Sequence, residues 1–167
     1  IIGEQTFWGW PEYAVDPAAI ENWHSLIAKY DCVPVSHDFM LDYKRYKGRI
    51  SAYQIWNEAS LVMFWDGTPE AMADLTKRAY DIIKEEDPKA RVVAASTTVR
   101  LAGAFDRFFP SYLAALAELD WPVDVFAAHM YPTSKGGTDA RAAFITQVVD
   151  ALDAAGAPDL PVWDTEL

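Results

Sequence analysis

The chain has 167 residues, of which 14 are basic and 25 acidic, giving a net charge of −11 with about half the residues apolar. That is enough length for one buried core, and the charge argues against nucleic acid and anionic membrane as partners, since phosphate binding draws on clustered Lys and Arg. Cys32 is the lone cysteine, so an intrachain disulfide and a cysteine-based zinc site are both excluded, and no stretch approaches the ~20 apolar residues of a membrane span.

In chain order, strand-like and helix-like segments alternate. Ile1 to Thr6 reads as a first strand, with Trp8 and Trp10 just beyond it. Asp16-Pro17 opens a helix with Ile20, Trp23 and Ile27 on one face, and Ser36 caps another whose inner face is Phe39, Met40, Tyr43 and Tyr46. Ile50 to Trp56 is a second strand, rich in aromatic and β-branched residues, which ends abruptly in Asn57 and Glu58.

Thr68-Pro69-Glu70 then starts a helix, with a hydroxyl cap, a proline in the first turn and an acid at the positive end of the dipole. Met72, Leu75, Ala79 and Ile82 or Ile83 follow at helical spacing, and Asp87-Pro88 ends the run. Arg91 to Ser96 is the next strand, with Ser96 to Thr98 at its end. A helix is predicted over Ser111 to Leu119, carrying Leu113, Leu116 and Leu119. Val123 to Ala128 forms a strand ending in His129 and Tyr131. Thr138-Asp139 opens a helix with Ile145, Val148, Val149 and Leu152 as its apolar stripe and Gly156 as its stop. Pro161 to Asp164 is the last strand, followed by Thr165 and Glu166. The acidic runs Glu85-Glu86-Asp87 and Glu118 to Asp120 read as solvated helix ends, and His24 and His37 as helical surface residues without metal-ligand spacing to His129.

Strand starts recur at roughly 30 to 45 residues, close to one βα unit of an eight-fold barrel. The expected fold is therefore α/β: an incomplete (β/α)₈ TIM barrel forming one partial catalytic domain over residues 1–167, with about five βα units where a closed barrel has eight. A doubly wound sheet is the alternative, but it usually carries a glycine-rich phosphate turn after its first strand, and none is visible. The opening at Ile1 and the stop after Glu166 both read as cuts from something longer.

Barrel enzymes place reactive groups at the C-terminal ends of strands. Those ends carry Trp8 and Trp10, Asn57-Glu58, Ser96 to Thr98, His129 and Tyr131, and Glu166. Two strands that each deliver one glutamate fit glycoside hydrolysis, which needs a pair of carboxyl groups across the scissile bond. The residues Trp56-Asn57-Glu58, His129-Met130-Tyr131-Pro132 and Thr165-Glu166, at successive strand ends, resemble the retaining (β/α)₈ glycoside hydrolases of clan A. The stretch Tyr46-Lys47-Gly48-Arg49-Ile50 leading into Tyr53 to Glu58 most resembles the β-xylosidase and iduronidase-like family 39.

The resemblance implies that the chain spans about strands three to seven, with Glu58 as general acid/base and Glu166 as nucleophile. Asn57 would bond the sugar 2-hydroxyl, Tyr131 would donate to Glu166, and His129 would organise the same wall, its alternative being a histidine of the barrel wall. Trp8 and Trp10 are either sugar platforms or packing residues. The implied substrate is an oligosaccharide or glycoside, no metal or cofactor is required, and an extracellular location follows by analogy. With two carboxyls close together, the acid/base is expected to have its pKa raised, while hydrogen bonds keep the nucleophile charged.

The sequence departs from the family at Ala59, where proline is usual, at Ser60, and at Leu167 after the nucleophile. The arginine that many clan members supply from strand two lies outside the chain. A carbohydrate-binding barrel without catalysis is the rival function, although such proteins usually lose one of the two glutamates. A metal-dependent hydrolase is a further alternative that the three histidines do not supply with ligands. The isolated 167-residue piece is expected to be inactive and poorly soluble, because an open barrel leaves strand edges unpaired.

Overall fold

The computed structural model describes residues 50–133 and 136–166. The strand expected at Ile1 to Thr6, the two helices after it, and Trp8 and Trp10 lie outside the described residues. Within them, strands and helices alternate: β1 (Ala52–Gln54), α1 (Pro69–Glu86), β2 (Arg91–Val93), α2 (Ala102–Glu118), β3 (Phe126–Ala128), α3 (Gly137–Ala154) and β4 (Val162–Asp164). β1 pairs in parallel with β2, in register Tyr53 to Val92, and β3 pairs in parallel with β4, in register Ala127 to Trp163. Parallel bridges from Val93 to Val125 and from Thr98 to His129 join the two pairs. The result is an α/β sheet in chain order, in which each crossover is a helix, as parallel neighbours require.

The two faces of this sheet differ. Tyr53, Ile55, Val92, Ala94, Phe126 and Ala128 belong to the main core with the buried residues of the helices. Val93, Val125 and Ala127 form a separate small cluster on the other face with Ala52 and Trp163, to which no described helix contributes. Alternation along a strand produces this division, because successive side chains point to opposite faces.

α1 forms as its sequence requires. The Thr68 side chain accepts from the Ala71 N–H, Pro69 occupies the first turn, and Met72, Leu75, Thr76 and Ile83 are buried. Of the isoleucine pair it is Ile83 that is buried, 1% exposed. Asp87, expected to be solvated, is instead buried at the helix end, where its carboxylate accepts from the Lys89 N–H and turns the chain toward β2.

α2 begins at Ala102, nine residues before the expected start at Ser111, and runs through Pro110. A proline inside a helix removes one hydrogen bond, to the carbonyl four residues earlier. Here both Pro110 and Asp106 are exposed, so water can serve that carbonyl. The apolar stripe runs unbroken through Phe105, Phe108, Phe109, Tyr112, Leu113 and Leu116, all buried, and outweighs the break. Tyr112 is 1% exposed, its hydroxyl lies 2.9 Å from Thr76 Oγ1 and accepts from the Ala95 N–H, and burial pushes its phenol up to about 12.

In α3 only Val148 and Leu152 are buried, with Phe144 and Ala151 packed beside them. Ile145 and Val149 were expected in the same stripe, but they sit one residue round the helix and are 44% and 41% exposed. Gly156 stops α3 as expected, at φ +66°. The Ala157 N–H donates to the Leu152 carbonyl and the Gly156 N–H to that of Asp153, a Schellman closure. A Cβ at 156 would meet no atom within 4 Å, so the cost of a side chain there is conformational. Gly156→Ala is expected to destabilise the protein by about 1 kcal/mol, read as a lower urea midpoint at unchanged m-value.

Candidate active site

β1 leads through Ile55, Trp56 and Asn57 to Glu58, which adopts φ 42°, the left-handed region that a residue with a Cβ rarely enters. The neighbouring strand holds it there. The Glu58 N–H donates to Ser96 Oγ at 2.9 Å, its carbonyl accepts from the Leu61 N–H, and the Ala59 N–H donates to the Ser96 carbonyl. Gln54 Nε2 donates to Ser96 Oγ and to the Trp56 carbonyl. Ser60 Oγ accepts from the Thr98 N–H, so the turn after β1 is bound at both serines to the extension of β2. Strain of this kind is held only where surrounding bonds over-determine the backbone.

β3 delivers His129, which is fully buried. Its N–H donates to the Thr97 carbonyl at 2.8 Å and its carbonyl accepts from the Val99 N–H at 3.2 Å. The imidazole Nδ1 lies 3.1 Å from Glu58 Oε1 and 3.5 Å from Glu166 Oε2. Both neighbours of Nδ1 are carboxylate oxygens, which places the ring proton on that nitrogen. Nε2 is buried with no hydrogen-bond partner among the described residues.

β4 delivers Glu166, and two bonds fix the end of that strand. Asp164 Oδ1 accepts from the Met130 N–H at 3.2 Å, and Asp164 Oδ2 accepts from Arg141 Nη2 of α3 at 2.7 Å. Tyr131 stacks on His129 with ring centres 6.3 Å apart and donates its hydroxyl to Glu166 Oε1 at 3.1 Å. Glu166 is thus contacted by His129 on one oxygen and Tyr131 on the other. The two glutamates differ in access to solvent: the Glu58 side chain is 7% exposed and that of Glu166 is 42% exposed.

The expectation of a raised Glu58 pKa is overturned. The hydrogen bond from His129 holds the Glu58 carboxyl below its ordinary value, against burial, with the charges of His129 and Arg100 and a bond to Thr98 adding to the effect. Repulsion from Glu166 does not dominate, because the imidazole lies between the carboxyls. By linkage, ionised Glu58 stabilises the fold fully above the ordinary carboxylate range, and that contribution is lost as pH falls through its depressed folded value. Burial raises the Tyr131 phenol, as do Glu166 and Glu58, against the hydrogen bond with Arg100, so at neutral pH it remains a donor.

Of the expected site residues, Glu58, Glu166, His129 and Tyr131 come together. Asn57 adjoins Glu58 and is half-buried, and its Oδ1 has no partner among the described residues. Trp56, the aromatic of the motif, is occupied in structure: its Nε1 donates to the Phe64 carbonyl and its ring meets Trp65 edge-on. Arg100 was not anticipated. Its Nη1 lies 3.9 Å from Glu58 Oε1, and its guanidinium covers the Tyr131 ring at 4.4 Å. The signal was weak, because one arginine after a strand end resembles any surface cation. Among the described residues no group of three or more His, Cys, Asp or Glu is placed to hold a metal ion. No described helix is long and apolar enough to cross a membrane.

No protein-family model matches the chain. A β-xylosidase of Geobacillus stearothermophilus is 30% identical over 134 residues, covering 80% of this chain and 25% of that protein. The chain therefore spans about a quarter of the length of the curated relative it matches. Among solved structures, a family 39 glycoside hydrolase, a β-xylosidase from Caulobacter crescentus, superposes with a TM-score of 0.53 at 22% identity, covering 89% of this chain and 28% of that one. N2152 from Neocallimastix frontalis superposes with a TM-score of 0.54 at 17% identity, covering 92% of this chain and 33% of that one. In sequence and in fold the chain is like a part of a family 39 glycoside hydrolase, as the strand-end motifs indicated.

Proposed function

We propose that this chain is the part of a glycoside hydrolase barrel that carries both catalytic carboxyls, acting on an oligosaccharide or glycoside by retaining double displacement. Glu58 is the general acid/base and Glu166 the nucleophile. The observation that carries this proposal is the shared contact with His129 Nδ1, at 3.1 Å from Glu58 and 3.5 Å from Glu166. Two oxygens on one nitrogen can be no further apart than the sum of those contacts. Facing oxygens held that close bring the two carboxyls together as a pair across one site, which is compatible with the ~5–5.5 Å separation of retaining enzymes. The partial (β/α)₈ architecture is supported by strands that pair in chain order and by the described helices, which pack on one face of the sheet. A doubly wound sheet carries helices on both faces. The similarity to a β-xylosidase makes a β-linked xyloside the first substrate to test.

In the first step Glu166 attacks the anomeric carbon while protonated Glu58 gives its proton to the departing oxygen. In the second, Glu58 takes a proton from water, which attacks the same carbon and releases Glu166. The lowered pKa of Glu58 keeps it ionised for the second step, where it acts as a carboxylate. A sugar seated over the site removes water from a group already opposed by burial, which shifts Glu58 toward its protonated form for the first step. Asn57, whose Oδ1 has no partner among the described residues, would bond a sugar hydroxyl. Following the anomeric configuration of the first-formed sugar by proton NMR tests the reaction class in the intact protein. The β-xylose anomer is expected to appear before mutarotation, and the α anomer first would sink the double displacement.

A further inference from the structure

We propose that Arg100 is a positioning residue of this site, which holds the Tyr131 ring and balances the charge on Glu58 once that carboxyl has given up its proton. The proposal rests on the roles given above to Glu58 and Glu166. Three contacts carry it: Nη1 lies 3.9 Å from Glu58 Oε1, the guanidinium lies 4.4 Å from the centre of the Tyr131 ring, and Nη1 donates to Thr98 Oγ1 at 3.4 Å. A planar cation on an aromatic face is held in position and keeps N–H groups free at its edge. The Arg100 side chain is 26% exposed beside a Glu58 side chain at 7%, so the charge acts across a mostly dry gap.

Arg100 thereby touches both halves of the site, Glu58 directly and Glu166 through the Tyr131 hydroxyl. Among the described residues, the charged and titratable groups facing Glu58 are His129 from the end of β3, Tyr131 beyond it, Glu166 from the end of β4, and Arg100 from the loop after β2. Arg100 is the permanent cation of that set, since a guanidinium does not titrate. It favours the ionised form of Glu58, the form that must activate water. Without Arg100, Glu58 keeps its proton to higher pH, and the Tyr131 ring loses the plate that fixes its hydroxyl on Glu166.

The test compares Arg100→Gln and Arg100→Lys with the wild type in the intact enzyme containing this chain. With phenyl β-xyloside, the alkaline limb of kcat/KM reports the proton on the acid/base. Arg100→Gln is expected to move that limb up by about half a pH unit to one unit, and Arg100→Lys, which keeps the charge, by much less. An unmoved limb in Arg100→Gln overturns the proposal, even if activity falls. Carbon-13 NMR titration of labelled glutamate, with Glu58 assigned from a Glu58→Gln control, reads the same group without turnover. An upward shift in Arg100→Gln supports the proposal, and no shift overturns it. Failure of the wild type to cleave the xyloside counts against the proposed function alone, and the titration still decides the role of Arg100.

Discussion

Glu58→Ala in the intact enzyme is expected to lower kcat/KM on phenyl β-xyloside by about 10²- to 10⁴-fold, the usual contribution of a positioned acid/base. The size of the loss depends on the leaving group. Phenoxide leaves poorly and needs the Glu58 proton, whereas dinitrophenoxide leaves unaided, so the first step on the dinitrophenyl xyloside should be nearly untouched. Its second step remains slow, because no carboxylate is left to activate water. Azide, which needs no general base, should then restore turnover and yield the β-xylosyl azide. An equal loss on both substrates with no response to azide would remove Glu58 from the acid/base role. The side chain is 7% exposed and bonded to His129, so circular dichroism of the variant must accompany the kinetics to separate chemistry from folding.

Glu166→Ala should cost more, and independently of the leaving group. Without the carboxylate no glycosyl-enzyme can form, and a good leaving group does not replace a missing nucleophile. Azide entering the space left by the side chain attacks from the opposite face, so the expected product is the α-xylosyl azide. The two variants thus give azides of opposite configuration, which separates the roles without reference to absolute rates. Activity within about tenfold of the wild type on the phenyl xyloside would exclude Glu166 as nucleophile. Glu166 is 42% exposed and bonded at its tip by Tyr131 and His129, so its removal should leave the fold less disturbed than removal of Glu58.

Much of the site was legible because strand ends announce themselves. A run such as Tyr53 to Trp56 belongs in a sheet, so the polar pair after it must lie at its mouth, and Glu58 does. The same logic brought His129, Tyr131 and Glu166 to one place, since parallel strands in chain order align their C-terminal ends. The helix expected from Ser111 starts nine residues earlier, because the stripe from Phe105 to Leu116 is settled by packing against α1 and the sheet, which overrides Pro110. Ile145 and Val149 misled for the opposite reason: their periodicity is helical, but which arc of the helix is buried depends on what lies beneath it. The direction of the Glu58 shift was not legible, because it depends on which carboxyl the imidazole of His129 approaches more closely. Arg100 was hidden because the Tyr131 ring that holds it lies one strand away. The two tryptophans expected as platforms, Trp8 and Trp10, lie outside the described residues.

The two catalytic candidates sit on opposite sides of a join. Glu58 is bolted to β2 through Ser96, and Glu166 is bolted to β3 through Asp164 and Tyr131. Between β2 and β3 the backbone bonds come in two groups, near Val92 to Ala94 and near Thr97 to Val99. In the interval the Ala95 N–H turns away to the Tyr112 hydroxyl and the Ser96 N–H to the Trp56 carbonyl. The site is therefore built in two halves, one on each strand pair. Each half is bonded within its own strand pair, and the two halves meet through the alignment of β2 on β3 and through the His129 imidazole, which contacts both glutamates. The phenol of Tyr112, in the helical layer, takes the Ala95 N–H within that interval, so the seating of β2 reaches back to a side chain remote from both glutamates.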